Sequence, residues 1–452
     1  MKLKNMLYSL YALTAIGICC VPAVMMYKNY TDKSSTNAEL AKFPKIKSGG
    51  SLNREFFCEF ETWFSDHYAY REKFVTANAN IMADVFNTSS NADVIMGKDG
   101  WLFYNHTVDD YTGLNTLSER GISNVAHNIQ LMSEYCKENG ADFIFAPAPN
   151  KNSIYPEYMP SRYYVTNNTK NIDAVKAKLD GSVGYCDWKN FLITSKDNGL
   201  LYHKTDSHWN NFGANLASRQ LLTDLGKQFT PLFNTGTSYT WRGDLYKMLF
   251  PQGKELDMQV EYDGLFTFET VGRFRSWDDS TVNTECEGKE GRLLMFRDSF
   301  GVALNKFMAN EFAEAEFSRV VPYRMQGIAD GKFDCVVLEI VERNLRNLQK
   351  SAPVMPAPTA KGVNLSSPSV SADVYTEEIG GYLHIYGVLE NLKKSVKSDT
   401  NIYVTVNGIT YEAFRAYESD LLSGETGMTE SDYGYSLYVP YVENAQITIA
   451  VG

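Results

Sequence analysis

Cysteine is scarce and scattered in this chain. Of seven cysteines, two lie in an apolar N-terminal run, and the other five, Cys58, Cys136, Cys186, Cys286 and Cys335, are widely spaced and form no C-x-x-C pair. This argues against a disulfide framework or a thiolate zinc cluster, and each reads as a small buried apolar residue. Histidine is sparse too, with six in 452 residues. No H-E-x-x-H or H-x-H-x-D-H pattern occurs, so no metal and no cofactor is expected. No block of lysine and arginine interleaves with aromatics, and 43 basic against 54 acidic residues leave a net charge of -11. Nucleic acid is therefore excluded as a partner, and a polymeric partner is more easily a neutral or locally charged glycan.

Long uncharged apolar runs are missing as well, with one exception. Lys2 and Lys4 precede a mostly apolar stretch, 6–27, of about the length that crosses a bilayer as a helix. A buried helix is the other reading. Pro22 lies near its outer end and no small-x-small cleavage site follows, which favours a retained signal anchor over a cleaved signal peptide. Neither Cys19 nor Cys20 has the small residue before it that lipidation requires. Residues 1–29 are thus expected to be the anchor (or signal peptide), with the rest extracytoplasmic, held to the membrane by this helix or secreted. The polar residues 30–51 read as a stalk.

What is present is an alternation of helix and strand. Phe56, Phe57, Phe60, Trp63, Phe64 and Tyr68 recur at helical spacing and read as a core-facing stripe, and 97–104 reads as a hairpin. Helices are expected over 122–139, 212–225 and 302–312, and short buried strands over 142–146, 292–296 and 333–340. This order implies an α/β fold, three layers with a mainly parallel sheet between helices. Sites in such sheets lie beyond the carboxyl ends of the strands.

Two motifs about ninety residues apart supply chemistry: Thr205-Asp206-Ser207-His208-Trp209 and Arg297-Asp298-Ser299-Phe300-Gly301. An alcohol becomes a useful nucleophile when a neutral imidazole takes its proton and a carboxylate steadies the imidazolium. Ser299, His208 and Asp206 supply those three groups. Ser299 follows an expected strand and opens an expected helix, where unpaired N–H groups can face a developing oxyanion. Other readings stay open: Ser299 as a plain helix cap, Asp206 as the cap of the helix after Trp209, and His203, Asp206 and His208 as metal ligands.

At these residues the chain resembles a known family. Thr205-Asp206-Ser207-His208-Trp209-Asn210-Asn211-Phe212-Gly213-Ala214, with Asp298-Ser299-Phe300-Gly301 downstream, is similar to the SGNH-hydrolase-like O-acetyltransferases of the AlgX/AlgJ type and the related DHHW proteins. Phe64-Ser65-Asp66-His67 with Arg71, Lys98 to Phe103, Pro149-Asn150-Lys151 leading to Tyr155-Pro156-Glu157, and Glu339 through Glu342-Arg343 agree with it. The resemblance spans about residues 40 to 348. It implies an extracytoplasmic SGNH-like acetyltransferase domain over 52–350 that passes acetyl groups to hydroxyls of an exopolysaccharide or cell-wall glycan. The donor would be delivered by a multipass membrane O-acyltransferase. By motif match Ser299 is the nucleophile, His208 the base and Asp206 its orienter.

Two positions depart from the pattern: Ser207 replaces the first histidine of DHHW, and Arg297 stands where ordinary SGNH esterases carry glycine. The second departure leaves the oxyanion hole open, with the Ser299 N–H and Asn305 as candidates. Lys151, Arg324 and Arg343 are candidates for positioning donor or glycan. Residues 351–374, rich in Pro, Ala and Ser, read as a linker, and 375–452 as a small β-sandwich whose tyrosines offer glycan binding as one option. A secreted carbohydrate esterase, or a non-catalytic glycan-binding or assembly protein, are the alternatives to a transferase.

Overall fold

The computed structural model describes residues 2–27, 40–262, 266–360, 370–389, 397–417 and 432–452. Much of the expected stalk (30–39) and of the linker (361–369) lies outside the described residues. Helix α1 (Lys2–Tyr27) contains the stretch Lys4–Met26, of mean hydropathy 1.9, long and apolar enough to cross a membrane.

The chain divides into two units. The smaller comprises residues 1–105, 204–207 and 239–257. It contains α2 (Phe56–His67), α3 (Arg71–Phe86) and the hairpin of β1 (Val94–Met96) and β2 (Leu102–Tyr104). Ala79, Val94 and Leu102 pack with Leu245 and Leu249 of a short helix, Asp244–Leu249. The aromatic stripe of α2 does not enter a core as expected, since none of its residues is buried. Phe60 and Trp63 instead lie edge-on to Phe43, with ring centroids 6.1 and 4.9 Å away.

The larger unit, residues 106–203, 208–238 and 258–452, holds the parallel sheet. In chain order its elements begin with α4 (Val108–Thr112), α5 (Glu119–Glu138), β3 (Asp142–Ala148), α6 (Lys151–Ile154), α7 (Asn171–Leu179) and β4 (Gly184–Tyr185). They continue with α8 (Trp188–Ser195), α9 (Asn211–Asp224), β5 (Glu269–Val271), β6 (Thr281–Glu285), β7 (Arg292–Phe296), α10 (Gly301–Ala309), β8 (Glu314–Ser318) and β9 (Cys335–Val341). Strand order is β4-β3-β9-β7-β8-β6-β5. The first five are parallel, and β6 and β5 run antiparallel at one edge. The α/β expectation therefore holds. β3, β7 and β9 are apolar almost throughout because both faces are covered. Register pairs Phe296 with Leu338 and Val341 with Ala148, so the turns after β7, β9 and β3 share one edge of the sheet.

The C-terminal sandwich also belongs to this unit. Its strands are β10 (Tyr375–Ile379), β11 (Tyr382–Val388), β12 (Ile402–Val406), β13 (Ile409–Glu412), β14 (Phe414–Ala416), β15 (Gly434–Pro440) and β16 (Ile447–Val451). Sheets β10-β11-β15-β14 and β13-β12-β16 enclose Leu383, Ile385, Ile402, Val404, Leu437 and Ile449. Phe414 and Tyr438 join the core formed by α5 and the parallel sheet. The described part of the expected linker is packed rather than loose. Ala352, Val354, Met355 and Ala357 are buried, and the Ala357 amide donates to the Tyr438 carbonyl at 2.8 Å.

On the face of β10-β11-β15 turned away from the interior of the sandwich, Tyr375, Tyr386, His384 and the buried Tyr438 stack ring on ring at 5.5, 4.8 and 4.3 Å. Both faces of His384 and of Tyr386 are covered by neighbouring rings. These two present edges to solvent, which disfavours stacking on sugars.

Candidate active site

Strand β7 ends at Phe296, and the next four residues turn sharply into α10. The Asp298 carboxylate makes the turn: Oδ1 accepts the Phe300 amide at 2.9 Å, and Oδ2 accepts the Val341 amide at 2.8 Å and the Asn344 side chain at 3.5 Å. The Asp298 amide donates to Glu339 Oε2 at 2.9 Å. Glu339 is fully buried, and burial, then the nearby Asp298, push its pKa well above the carboxylate range. A side chain at Gly301 has no room, because a Cβ there would sit 2.5 Å from Arg297 Cβ and 2.8 Å from Glu339 Oε2. Arg297 turns away from Ser299. Its guanidinium donates to the carbonyls of Trp277 and Asp279 at 2.6 and 2.9 Å, and burial, with Arg319 nearby, lowers its pKa to about 10.

Trp209, almost fully buried, anchors the segment that carries His208. Its indole N–H donates to the Phe300 carbonyl at 3.0 Å, Tyr202 and Trp209 form an antiparallel bridge, and the His203 amide donates to the His208 carbonyl at 3.3 Å. The His208 ring lies 4.8 Å from the Phe300 ring. His208 Nε2 stands 2.9 Å from Ser299 Oγ, within hydrogen-bonding distance.

Both capping alternatives fall away. The N-cap of α9 is Asn210, whose Oδ1 accepts the Gly213 amide at 2.9 Å, and that of α10 is Phe300, with no side-chain cap. The Ser299 N–H carries no hydrogen bond among the described residues. Asp206 belongs to the smaller unit. There its Oδ2 accepts the Trp241 indole and the Asp244 amide, both at 2.9 Å, while Asp244 accepts the amide and hydroxyl of Ser207. Ser207 thus ties the loop to Asp244 where DHHW proteins carry a histidine.

The remaining candidates separate. Arg343 lies near the pair, its guanidinium 5.5 Å from the centroid of the Phe300 ring. Lys151 is buried, with its ammonium donating to the His203 carbonyl at 2.9 Å, so it steadies the segment leading to His208. Arg324 is exposed and touches neither Ser299 nor His208 among the described residues. Asn305 is fully buried, with neither amide atom bonded, and lies six residues past Ser299, about 9 Å along a helix.

Asn150 was legible only as part of a landmark run. It is fully buried, its amide donates to Glu342 Oε2 at 3.0 Å, its side chain donates to Asp110 Oδ2 at 3.2 Å, and its Oδ1 accepts from Arg343 at 3.5 Å. Its one sequence signal is a place directly after a strand end.

Residues 94–248 match the family model described as "SGNH hydrolase-like domain, acetyltransferase AlgX", a span that contains Asp206 and His208 and stops short of Ser299. Among curated proteins, "Probable alginate O-acetylase AlgJ" of Pseudomonas syringae pv. tomato is 23% identical over 216 residues, covering 47% of this chain and 51% of the relative. The protein of the same name from Pseudomonas putida is 21% identical over 220 residues, covering 46% of this chain and 55% of the relative. The chain thus spans about half the length of the curated relatives it matches. The solved O-acetyltransferase domain of Pseudomonas putida AlgJ has a TM-score of 0.40 at 16% identity, covering 56% of this chain and 92% of that one. Bacillus cereus PatB1, solved with a sulfonyl adduct, has 0.44 at 19%, covering 56% and 97%. On the match over 94–248 and the AlgJ relatives, the resemblance read from the two motifs stands: the chain is similar to the SGNH-like acetyltransferases of the AlgX/AlgJ type.

Proposed function

We propose that the chain is an extracytoplasmic O-acetyltransferase, anchored by α1, that carries acetyl on Ser299 and passes it to a polysaccharide hydroxyl. The 2.9 Å approach of His208 Nε2 to Ser299 Oγ, at the end of a central strand, carries the reading. Ser299 Oγ gives its proton to His208 and attacks the carbonyl of an acetyl donor. The leaving group departs with that proton, leaving an acetyl ester on Ser299. A sugar hydroxyl then gives its proton to His208 and attacks the ester, and the proton returns to Ser299 Oγ as the acetylated sugar leaves. Asp206 is proposed to orient His208, and the unpaired Ser299 N–H to receive the developing oxyanion. The similarity to proteins named alginate O-acetylase supports a glycan acceptor, and a multipass membrane O-acyltransferase is our proposed source of acetyl. We take 52–350 as the transferase domain and 375–452 as an appended sandwich.

The test incubates the detergent-solubilised chain with p-nitrophenyl acetate and candidate oligosaccharides, following nitrophenol and acetylated sugar by mass spectrometry. Acetylated sugar should form with the wild type, and Ser299→Ala or His208→Ala should lower its rate by about 10⁴-fold. Ser299-dependent nitrophenol release with no acceptor ever acetylated would make the protein an esterase. No Ser299-dependent release would point to a non-catalytic role.

A further inference from the structure

The segment that leaves β9 braces the turn bearing Ser299 from one side and the Asn150 loop from the other. Val341 and Asn344 donate to Asp298 Oδ2, Glu342 Oε2 accepts the Asn150 amide and, at 2.6 Å, the Ser153 hydroxyl, and Arg343 spans Asn150 Oδ1 and the Phe300 ring. Behind Asn150 stands Asp110 of α4, 8% exposed, accepting from the side chains of Asn150 and Asn115 at 3.2 and 3.3 Å. Two carboxyls, one 2% and the other 8% exposed, therefore grip one asparagine from opposite sides. Neither is needed for the proton transfers of the proposed reaction.

We propose that Asp110 and Glu342 are positioning residues for the Ser299–His208 pair, holding Asn150 and Arg343 in a bracket that tolerates one negative charge and not two. The proposal rests on reading Ser299 and His208 as the reacting pair. Burial, then the charge of Glu342, push the Asp110 carboxyl up to about 7, against weaker opposing effects of Asn150, Asn115 and Arg343. Burial raises Glu342 as well, opposed by its bonds to Ser153 and Asn150 and by Lys189, and reinforced by Asp173. Lys170, whose ammonium donates to the Tyr111 and Asn167 carbonyls, is a cation that feels both carboxyls. Because the Asp110 pKa is raised on folding, its contribution is complete below the ordinary carboxyl value near 4 and fades as pH climbs through about 7. The bracket is then expected to loosen on the alkaline side.

The experiment measures the rate at which a sulfonyl fluoride labels Ser299, by intact mass, from pH 5.5 to 9 in the full chain, with melting temperature recorded alongside. The ratio of wild-type to Asp110→Asn labelling should fall roughly ten-fold between pH 6 and 8.5, since Asn keeps an acceptor for Asn150 and cannot ionise. Glu342→Gln should likewise abolish the alkaline fall. Parallel profiles for wild type and Asp110→Asn would overturn the proposal. If Ser299 is labelled in no variant, the reading of the reacting pair fails, and the bracket is judged on melting curves. An alkaline loss of melting temperature in the wild type that Asp110→Asn lacks then supports it, and coincident curves overturn it.

Discussion

Gly301 shows how little space the turn around Ser299 leaves. Its absent side chain admits both the Arg297 stem and Glu339 Oε2, so Gly301→Ala must push one of them aside. Overpacking of this kind costs about 1–3 kcal/mol. We expect Gly301→Ala to lower the melting temperature and, because Glu339 also holds the Asp298 amide, to reduce Ser299 labelling more than the stability loss explains. The two motifs were legible at this scale because acid, base and hydroxyl are chemically distinctive. Asp110 was not, and Asn150 and Glu342 were visible only as landmarks of the resemblance, because their interest lies in burial and in pairings across 40 and 192 residues of chain.

Among the elements, periodicity located the central strands and the helix before them. The helix expected over 122–139 is α5, Glu119–Glu138, begun by Ser118, whose hydroxyl accepts the Gly121 amide. The strand expected over 142–146 runs on through Pro147 to Ala148 as β3. Its neighbour β4 pairs with Ile144 and Phe145 alone, so on that side the ladder asks nothing of Pro147, while Ile340 of β9 stands opposite it on the other. The antiparallel pair β5 and β6 escaped because their short, polar sequences carry no apolar run. Helix α5 also meets the sandwich. Arg415, 3% exposed, donates to Ser123 Oγ at 2.9 Å, its amide donates to Asn128 Oδ1 at 2.9 Å, and Asn128 returns a bond to the Arg415 carbonyl at 2.8 Å. Burial, then the nearby Arg120, lower the Arg415 pKa to about 9. Arg415→Ala keeps both backbone bonds to Asn128 but strands Ser123 Oγ and the Asp399 carbonyl, which accepts from the guanidinium at 2.7 Å, and should cost about 2–3 kcal/mol, read from urea unfolding.

For the molecule as a whole, the fold class and the β-rich C-terminal region were readable, while the attachment of that region was not. A Pro-, Ala- and Ser-rich stretch looks like a spacer until Met355 and Ala357 are found buried. Because Phe414 and Tyr438 complete the core of the parallel sheet, removing 375–452 should yield an aggregating protein rather than a free-standing transferase domain. Size-exclusion chromatography of the truncated chain, beside the full chain in the same detergent, checks this. Helix α1 predicts that the full chain stays with membranes through alkaline carbonate extraction and that a chain starting at residue 40 does not.

The strand order has a last consequence, for the sequence in which the protein is made. β3 is bordered by β4 and β9, and β9 begins at Cys335, 193 residues after the Asp142 it pairs with. During synthesis one long apolar strand edge therefore waits for a partner that emerges late, while β7 lacks the neighbour that braces its turn. Ribosome-bound chains ending before residue 335 should be avid chaperone clients, and His208 and Ser299 should find each other only after that strand has closed the sheet.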